Sequence, residues 1–200
     1  MTASPRSPSP AWPVFTLTCA VAAVMLHGLP SWREAAFYLR AEIFAGECWR
    51  LWTGHLVHFT GSHLGWNLAI FVPAGIWLER LDPRGARWFF VACPLAISAL
   101  LLAFDPSLLR YGGLSGLATG VLVLLAGLQL VRRDPREPAW FWFGVLGLVV
   151  AKLVAEQVSQ SPLLVGDLGG ARTVPLAHVG GTLAAAVACL WRARAVRNAA

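Results

Sequence analysis

A serine between glycines, at the start of an apolar segment, is the strongest candidate for chemistry in this sequence. It lies in the tetrapeptide Gly113-Leu114-Ser115-Gly116, and His178 lies near the start of another apolar segment. A serine hydroxyl becomes a nucleophile when a base, most often a histidine, lies within hydrogen-bond reach. Ser115 and His178 are therefore a candidate nucleophile and general base, if the fold brings their two segments together.

The composition predicts a membrane protein. Of the 200 residues, 57% are hydrophobic and 13% are charged, whereas a soluble domain carries about 25% charged residues. Each apolar segment is about long enough to cross a bilayer, and a helix satisfies its own backbone polar groups there. We therefore predict an all-α membrane protein with six transmembrane helices, at residues 14–30, 64–79, 88–104, 113–131, 140–157 and 174–191.

The arginines indicate the orientation of the chain. They fall in short clusters between the apolar segments, and most of them, for example Arg80, Arg84 and Arg87, lie on the face that also carries both termini. Cytoplasmic loops are enriched in basic residues, so both termini are predicted to be cytoplasmic. This clustering is typical of membrane topology signals and argues against binding to nucleic acid.

Three parts make up the predicted domain organisation. Residues 1–13 are rich in Ser and Pro and are predicted to be a disordered tail, residues 14–191 to be a single membrane domain, and residues 192–200 to be a basic cytoplasmic tail. The connection 31–63 mixes aromatic residues with Arg and Glu, which predicts short amphipathic helices in the membrane interface. A long ordered loop of this kind is often functional.

This topology places the candidate nucleophile and base at one depth. The segments that carry Ser115 and His178 both run inward from the outer face, and at about 1.5 Å per residue the two side chains lie just below that face. Small residues allow two membrane helices to approach closely. The predicted small-residue packing positions beside the pair are Gly113, Gly116, Gly120 and Gly181, with Gly180 next to the last of them.

The second apolar segment supplies polar groups at the same end of the membrane. His63 and Asn67 are four residues apart and share a helix face. Both can donate hydrogen bonds, so they are predicted to stabilise an oxyanion together with the backbone N–H of Ser115. The acidic residue Glu156 has Lys152 one turn away as its partner. The predicted catalytic group is therefore a Ser–His dyad rather than a triad.

Other interpretations of the same residues exist. A glycine-flanked serine in a membrane helix is often only a packing motif. The histidines His55, His58 and His63 are a possible metal site, and Lys152 with Glu156 is either a structural pair or part of a transport path. A small metal-binding or transport membrane protein is therefore an alternative function.

Taken together, these motifs resemble the rhomboid intramembrane serine proteases. Their order and spacing agree with the family over residues 49 to 185, and Glu79 resembles the acidic residue that ends the second span in many members. The matching segments are Trp49-Arg50-Leu51-Trp52-Thr53-Gly54-His55-Leu56-Val57-His58 in the first loop, His63-Leu64-Gly65-Trp66-Asn67, Gly113-Leu114-Ser115-Gly116 and Ala177-His178-Val179-Gly180-Gly181.

The resemblance implies a six-helix rhomboid core with Ser115 as nucleophile and His178 as general base and acid. It implies an oxyanion hole of His63, Asn67 and the Ser115 amide, and it implies no metal or organic cofactor. The expected substrates are single-span membrane proteins cut near the outer face. The expected location is the bacterial inner membrane, with the active site toward the periplasmic side. A catalytically silent rhomboid-like protein that binds membrane clients is the alternative within the family.

Within the family the chain looks closest to the rhombosortases, which are thought to process proteins with a C-terminal Gly-Gly anchor signal. The compact length, the Gly-Leu-Ser-Gly form and the Trp-Arg-Leu-Trp-Thr-Gly-His segment carry this likeness. Four residues after the nucleophile, rhomboids often carry Tyr and rhombosortases His, whereas this chain has Thr119. Ala185 stands where glycine is common.

Overall fold

Long helices joined by short ones make up the computed structural model, which describes residues 12–133, 135–159 and 173–198. Most of the predicted tail 1–13, most of the outer connection 158–173 and the last two residues lie outside the described residues. In chain order the elements are α1 (Val14–Gly28), α2 (Pro30–Ala36), β1 (Tyr38–Leu39), α3 (Arg40–Phe44), α4 (Arg50–Thr53), a 3-10 turn (Gly54–Leu56), α5 (Gly61–Leu81), α6 (Pro83–Phe104), β2 (Arg110–Tyr111), α7 (Ser115–Arg132), α8 (Ala139–Ser159) and α9 (Pro175–Asn198).

Four described helices, α6, α7, α8 and α9, are long and apolar enough to cross a membrane alone. A fifth crossing is possible if α1 and α2, which meet at 119°, count as one broken span. Helix α5 has 21 residues but is not among the four, and it carries the polar side chains of His63, Asn67 and Glu79. The architecture thus agrees with an all-α membrane protein, and the count of six crossings stays a prediction.

Helix α7 occupies the centre of the bundle. It is the most buried of the four apolar helices, and it lies against α5, α8 and α9. A side chain on Gly181 of α9 would collide with the carbonyl oxygen of Gly116 on α7. A Cβ on Gly120 would lie 2.8 Å from the carbonyl oxygen of Gly181. The two backbones are therefore in direct contact along this face, whereas Gly180 points to α6.

A buried carboxylate ties α5 to the beginning of α1. Glu79 accepts hydrogen bonds from the backbone N–H groups of Phe15, at 3.2 Å, and Thr16, at 2.6 Å, and from the Thr16 hydroxyl, at 2.6 Å. The first N–H groups of a helix have no partner within it, and a negative charge there is favourable. The Glu79 carboxylate of α5 therefore caps the N-terminal end of α1.

Short helices occupy the connection between α1 and α5, as predicted. A pair of two-residue strands links this connection to the segment before α7. Strand β1 pairs antiparallel with β2, with Tyr38 opposite Tyr111. An all-helical prediction missed this pair because two residues carry no strand periodicity. The buried Arg50 holds the connection from inside through the Glu47 carboxylate, at 2.6 Å, and the Phe37 carbonyl, at 2.8 Å.

Several helix boundaries differ from the predicted ones. Helix α7 begins at Ser115 rather than at residue 113, because Gly113 has a φ of +142° that no helix residue adopts. Helix α9 continues to Asn198, beyond the predicted end of its apolar segment at residue 191. Arg192 on that extension forms an ion pair with Asp82, at 2.6 Å.

The contact between α7 and α9 can be tested by Gly181→Ala. The new methyl group would collide with the Gly116 carbonyl, and overpacking of this kind costs about 1–3 kcal/mol of the free energy of unfolding. Gly144→Ala on α8 is the matched control, because a Cβ there meets nothing within 4 Å and alanine favours a helix over glycine by about 1 kcal/mol. Unfolding in detergent micelles measures both variants, and equal stability of the two would contradict the contact.

Candidate functional site

The turn before α7 depends on glycine at position 113. Its φ of +142° lies in a region that residues with side chains rarely adopt. A Cβ there would also lie 2.9 Å from Cε1 of His63 and 3.8 Å from the hydroxyl oxygen of Ser115. Gly113 donates its N–H to the Gly54 carbonyl at 3.2 Å. The first loop and α5 therefore both contact Gly113, which lies two residues before Ser115.

His58 holds the next residue of this turn. Its Nδ1 lies 3.1 Å from the Leu56 carbonyl oxygen, which can only accept, so Nδ1 carries the proton. The Nε2 atom is then an acceptor, and it receives the backbone N–H of Leu114 at 3.3 Å. Burial lowers the pKa of His58 to about 3, and the nearby His63 adds to that effect. His58 is thus a neutral support with one fixed tautomer.

His55 supports the same turn from the other side through Tyr111. The Ser98 hydroxyl donates to the Leu51 carbonyl at 2.6 Å, so it accepts the Nε2 proton of His55 at 3.0 Å. The Tyr111 hydroxyl donates to the Gly113 carbonyl at 3.0 Å and lies 3.5 Å from Nδ1 of His55. Burial lowers the pKa of His55 to about 4 and raises the pKa of Tyr111.

These contacts leave little support for a metal site at the three loop histidines. The ring nitrogens of His55 and His58 are engaged with protein groups. Within residues 12–133, 135–159 and 173–198, no group of three or more His, Cys, Asp or Glu side chains could hold a metal ion. The structure therefore does not favour the metal-binding alternative.

Ser115 is the first residue of α7 and is half-buried. Its N–H group has no acceptor within the helix because of that position. Thr119, the residue that departs from the family pattern, turns its hydroxyl back to the Ser115 carbonyl at 2.8 Å. A Cβ on Gly116 would lie 2.8 Å from the carbonyl oxygen of Ala177, the residue before His178. The structure thus brings the start of α7 and the start of α9 into contact.

His63 and Asn67 are both buried residues of α5. The His63 ring packs beside Gly113, with Nε2 3.0 Å from the position of a Cβ there. Three buried side-chain atoms of this neighbourhood have no hydrogen-bond partner among the described residues. They are Nδ1 of His63, Nδ2 of Asn67 and Nε2 of His178. Because His178 Nε2 has no partner, the hydrogen bond between His178 and Ser115 is not formed in this structure.

Glu156 is the residue that the sequence interpretation missed. Its Oε2 atom lies 2.7 Å from Nδ1 of His178, and its Oε1 atom lies 2.7 Å from Nζ of Lys152. The expectation that no acidic residue is placed beside the histidine was therefore wrong. The i to i+4 spacing identified Lys152 correctly as one partner, but the contact with His178 depends on how α8 packs on α9, and spacing along one helix does not specify it.

The buried histidines of the first loop predict a pH dependence of stability. Both have a folded pKa below the ordinary value of about 6.5, so their neutral forms favour the folded state fully above pH ~6.5. This stabilisation is lost as pH falls from ~6.5 toward the folded pKa of each, by up to about 1.4 kcal/mol per pH unit and histidine. His58→Gln should remove the share of that slope that belongs to His58.

Unfolding in micelles between pH 4 and pH 7 measures this slope. His27→Gln is the control variant, because His27 is a half-buried histidine of α1 outside the first loop. A slope that is unchanged in His58→Gln would contradict the assignment of His58 as a neutral support.

The comparison with protein families completes the description of the site. The rhomboid domain matches residues 45–194, which include the first-loop histidines, α5 to α8 and most of α9. No curated protein has a significant match to the chain. The match covers three quarters of the sequence and every residue of the site described above, and the chain belongs to the rhomboid family.

Proposed function

We propose that the chain is an intramembrane serine endopeptidase that cleaves single-span membrane proteins near the outer face of the bacterial inner membrane. Membership of the rhomboid family supports the class of activity. In this proposal Ser115 is the nucleophile, His178 is the general base and acid, and both termini are cytoplasmic. The bilayer is the other partner of the protein, and its apolar helices support that part of the proposal.

The unpaired polar atoms around Ser115 are the observation that carries the proposal. Buried polar groups in folded proteins nearly always have partners, so each exception calls for an explanation. Six buried side-chain atoms are such exceptions among the described residues. Three of them, on His63, Asn67 and His178, belong to residues that sequence reasoning had already assigned to catalysis. The first-loop histidines, which have the same chemistry, are paired. The unpaired atoms are explained if they bind a substrate carbonyl oxygen and the Ser115 proton during the reaction, which the paired first-loop histidines do not do.

The proposed reaction is acyl transfer. The Ser115 oxygen attacks a peptide carbonyl while its proton passes to Nε2 of His178. Donors from His63, Asn67 and the Ser115 N–H stabilise the negative oxygen that forms, and the N-terminal end of α7 adds a favourable field. His178 then gives the proton to the leaving amine, and water or another amine resolves the ester. An apo geometry without the Ser–His hydrogen bond is compatible with this, because such contacts often tighten only with substrate bound.

The proposed subfamily is the rhombosortases, with substrates that end in a Gly-Gly motif, a hydrophobic run and a basic tail. Its support is the form of the nucleophile motif and of the first-loop segment. Thr119 is compatible with it, since its hydroxyl bonds within α7 and leaves the turn at Ser115 intact.

Ser115→Ala should abolish cleavage of a membrane substrate with such a C-terminal signal, because no other oxygen replaces the nucleophile. Cleavage by the purified protein in vesicles, followed by gel mobility and mass spectrometry of the product, measures this. Ser31→Ala is the matched control, since Ser31 is an exposed serine of α2, and it should cleave like the parent.

Three outcomes contradict different parts of this proposal. Cleavage that persists in Ser115→Ala excludes Ser115 as the nucleophile. A parent protein that binds the substrate but reacts neither with it nor with a fluorophosphonate probe is the catalytically silent client-binding protein. Cleavage of single-span substrates regardless of the Gly-Gly signal leaves the protease in place and excludes the rhombosortase assignment.

His63→Ala and Asn67→Ala should each lower kcat by roughly 10²–10³ if the lost donor bears on the oxyanion. KM should change little, because the interaction forms mainly in the transition state. Steady-state kinetics with a fluorogenic membrane substrate separates the two constants. A variant that fails to fold, as judged by its unfolding transition, would instead indicate a structural role for that side chain.

A further inference from the structure

The predicted dyad does not include the hydrogen bond between Glu156 of α8 and His178. We propose that Glu156 is a positioning residue for His178: its carboxylate holds the Nδ1 proton and thereby keeps Nε2 free to accept the proton of Ser115. This inference rests on the proposed function of Ser115 and His178 and extends their pair to a Ser–His–Glu triad.

Burial of Glu156 is the first step of the argument. The residue is only 3% exposed although it lies on an apolar helix. A carboxylate in such a place is costly unless charged or hydrogen-bonded partners surround it. Its two oxygens have one partner each, Lys152 on Oε1 and His178 on Oε2, both at 2.7 Å. Both carboxylate oxygens of Glu156 are thus used in contacts with Lys152 and His178.

The tautomer of His178 follows from the partner of its Nδ1 atom. A carboxylate oxygen only accepts, so the hydrogen bond to Glu156 requires a proton on Nδ1. Lys152 Nζ lies 3.3 Å from the same nitrogen. Both are donors in this state, so the lysine is a neighbour rather than a partner there. The neutral ring then has its lone pair on Nε2, the atom that is buried and unpaired among the described residues.

Lys152 compensates the charge of Glu156. The ammonium group and the carboxylate together carry no net charge, which reduces the cost of placing the carboxylate within the bundle. When His178 takes the proton of Ser115, the ring becomes positive and faces the oxygen of Glu156 directly. The carboxylate therefore both selects the tautomer before the reaction and stabilises the charged ring during it, without receiving the proton itself.

The decisive variant is the double substitution Lys152→Met with Glu156→Gln. It removes both charges at nearly constant volume, so no uncompensated buried charge is left to unfold the protein. A glutamine amide offers a donor as well as an acceptor to Nδ1 and no longer enforces one tautomer. The expected result is a fall in kcat by about 10²–10⁴ with KM nearly unchanged and with a parental unfolding transition.

Two further variants complete the experiment. Glu156→Asp keeps the charge on a shorter side chain and should recover part of the kcat that the double variant loses. Gln157→Ala changes the exposed neighbour of Glu156 on α8 and should leave kcat at the parental value. The rate of reaction of Ser115 with a fluorophosphonate probe gives a second readout that does not require substrate binding.

The outcomes separate this inference from the proposed function. A parent that does not react at Ser115 overturns both. A parent that reacts, with a folded double variant that turns over and reacts with the probe as fast as the parent, overturns the role of Glu156 alone. A fall in kcat and in probe reactivity in the folded double variant, with partial recovery in Glu156→Asp, supports it.

Discussion

The close approach of α7 and α9 is the constraint on which the site depends. At Gly181 the backbones are so near that a single methyl group would collide with the opposing carbonyl. Because Gly116 directly follows Ser115, and the Ala177 carbonyl that it meets directly precedes His178, the same contact holds together the two backbone segments that carry the candidate catalytic side chains. In a bilayer such contacts are favourable because apolar side chains gain little by leaving lipid, so helices associate through tight backbone packing.

Polar groups divide into two sets around this contact. The first-loop histidines, with Tyr111 and Ser98, form a fully engaged network that fixes the backbone from Gly113 to Leu114. The buried Nδ1 of His63 and Nδ2 of Asn67 on α5, and Nε2 of His178 on α9, are instead unpaired among the described residues. A satisfied network rigidifies its surroundings, and an unsatisfied group costs free energy. Part of that cost therefore falls on the candidate site, at atoms of His63, Asn67 and His178.

The sequence was sufficient to predict features that depend on a single helix. Apolar segments located the helices within a few residues, and the spacing of His63 and Asn67 placed both side chains on one buried face of α5. The sequence was insufficient to predict the partner of a buried side chain when that partner lies on another helix. Glu79 caps α1, and Glu156 reaches His178 across 22 residues, and in each case a nearer basic residue offered a local partner that explained the charge. The β1–β2 pair was missed because two residues contain no periodicity.

The position of Glu156 connects the site to the least buried of the four apolar helices. Most of α8 faces away from the bundle, yet its polar pair points inward to α9. A carboxylate that left this pocket would enter hydrocarbon, at a cost of about 2.5–3.5 kcal/mol or more, so the pair itself favours the docked position of α8. The Glu156 carboxylate thus contributes both to the orientation of the His178 ring and to the packing of α8, the least buried of the four apolar helices.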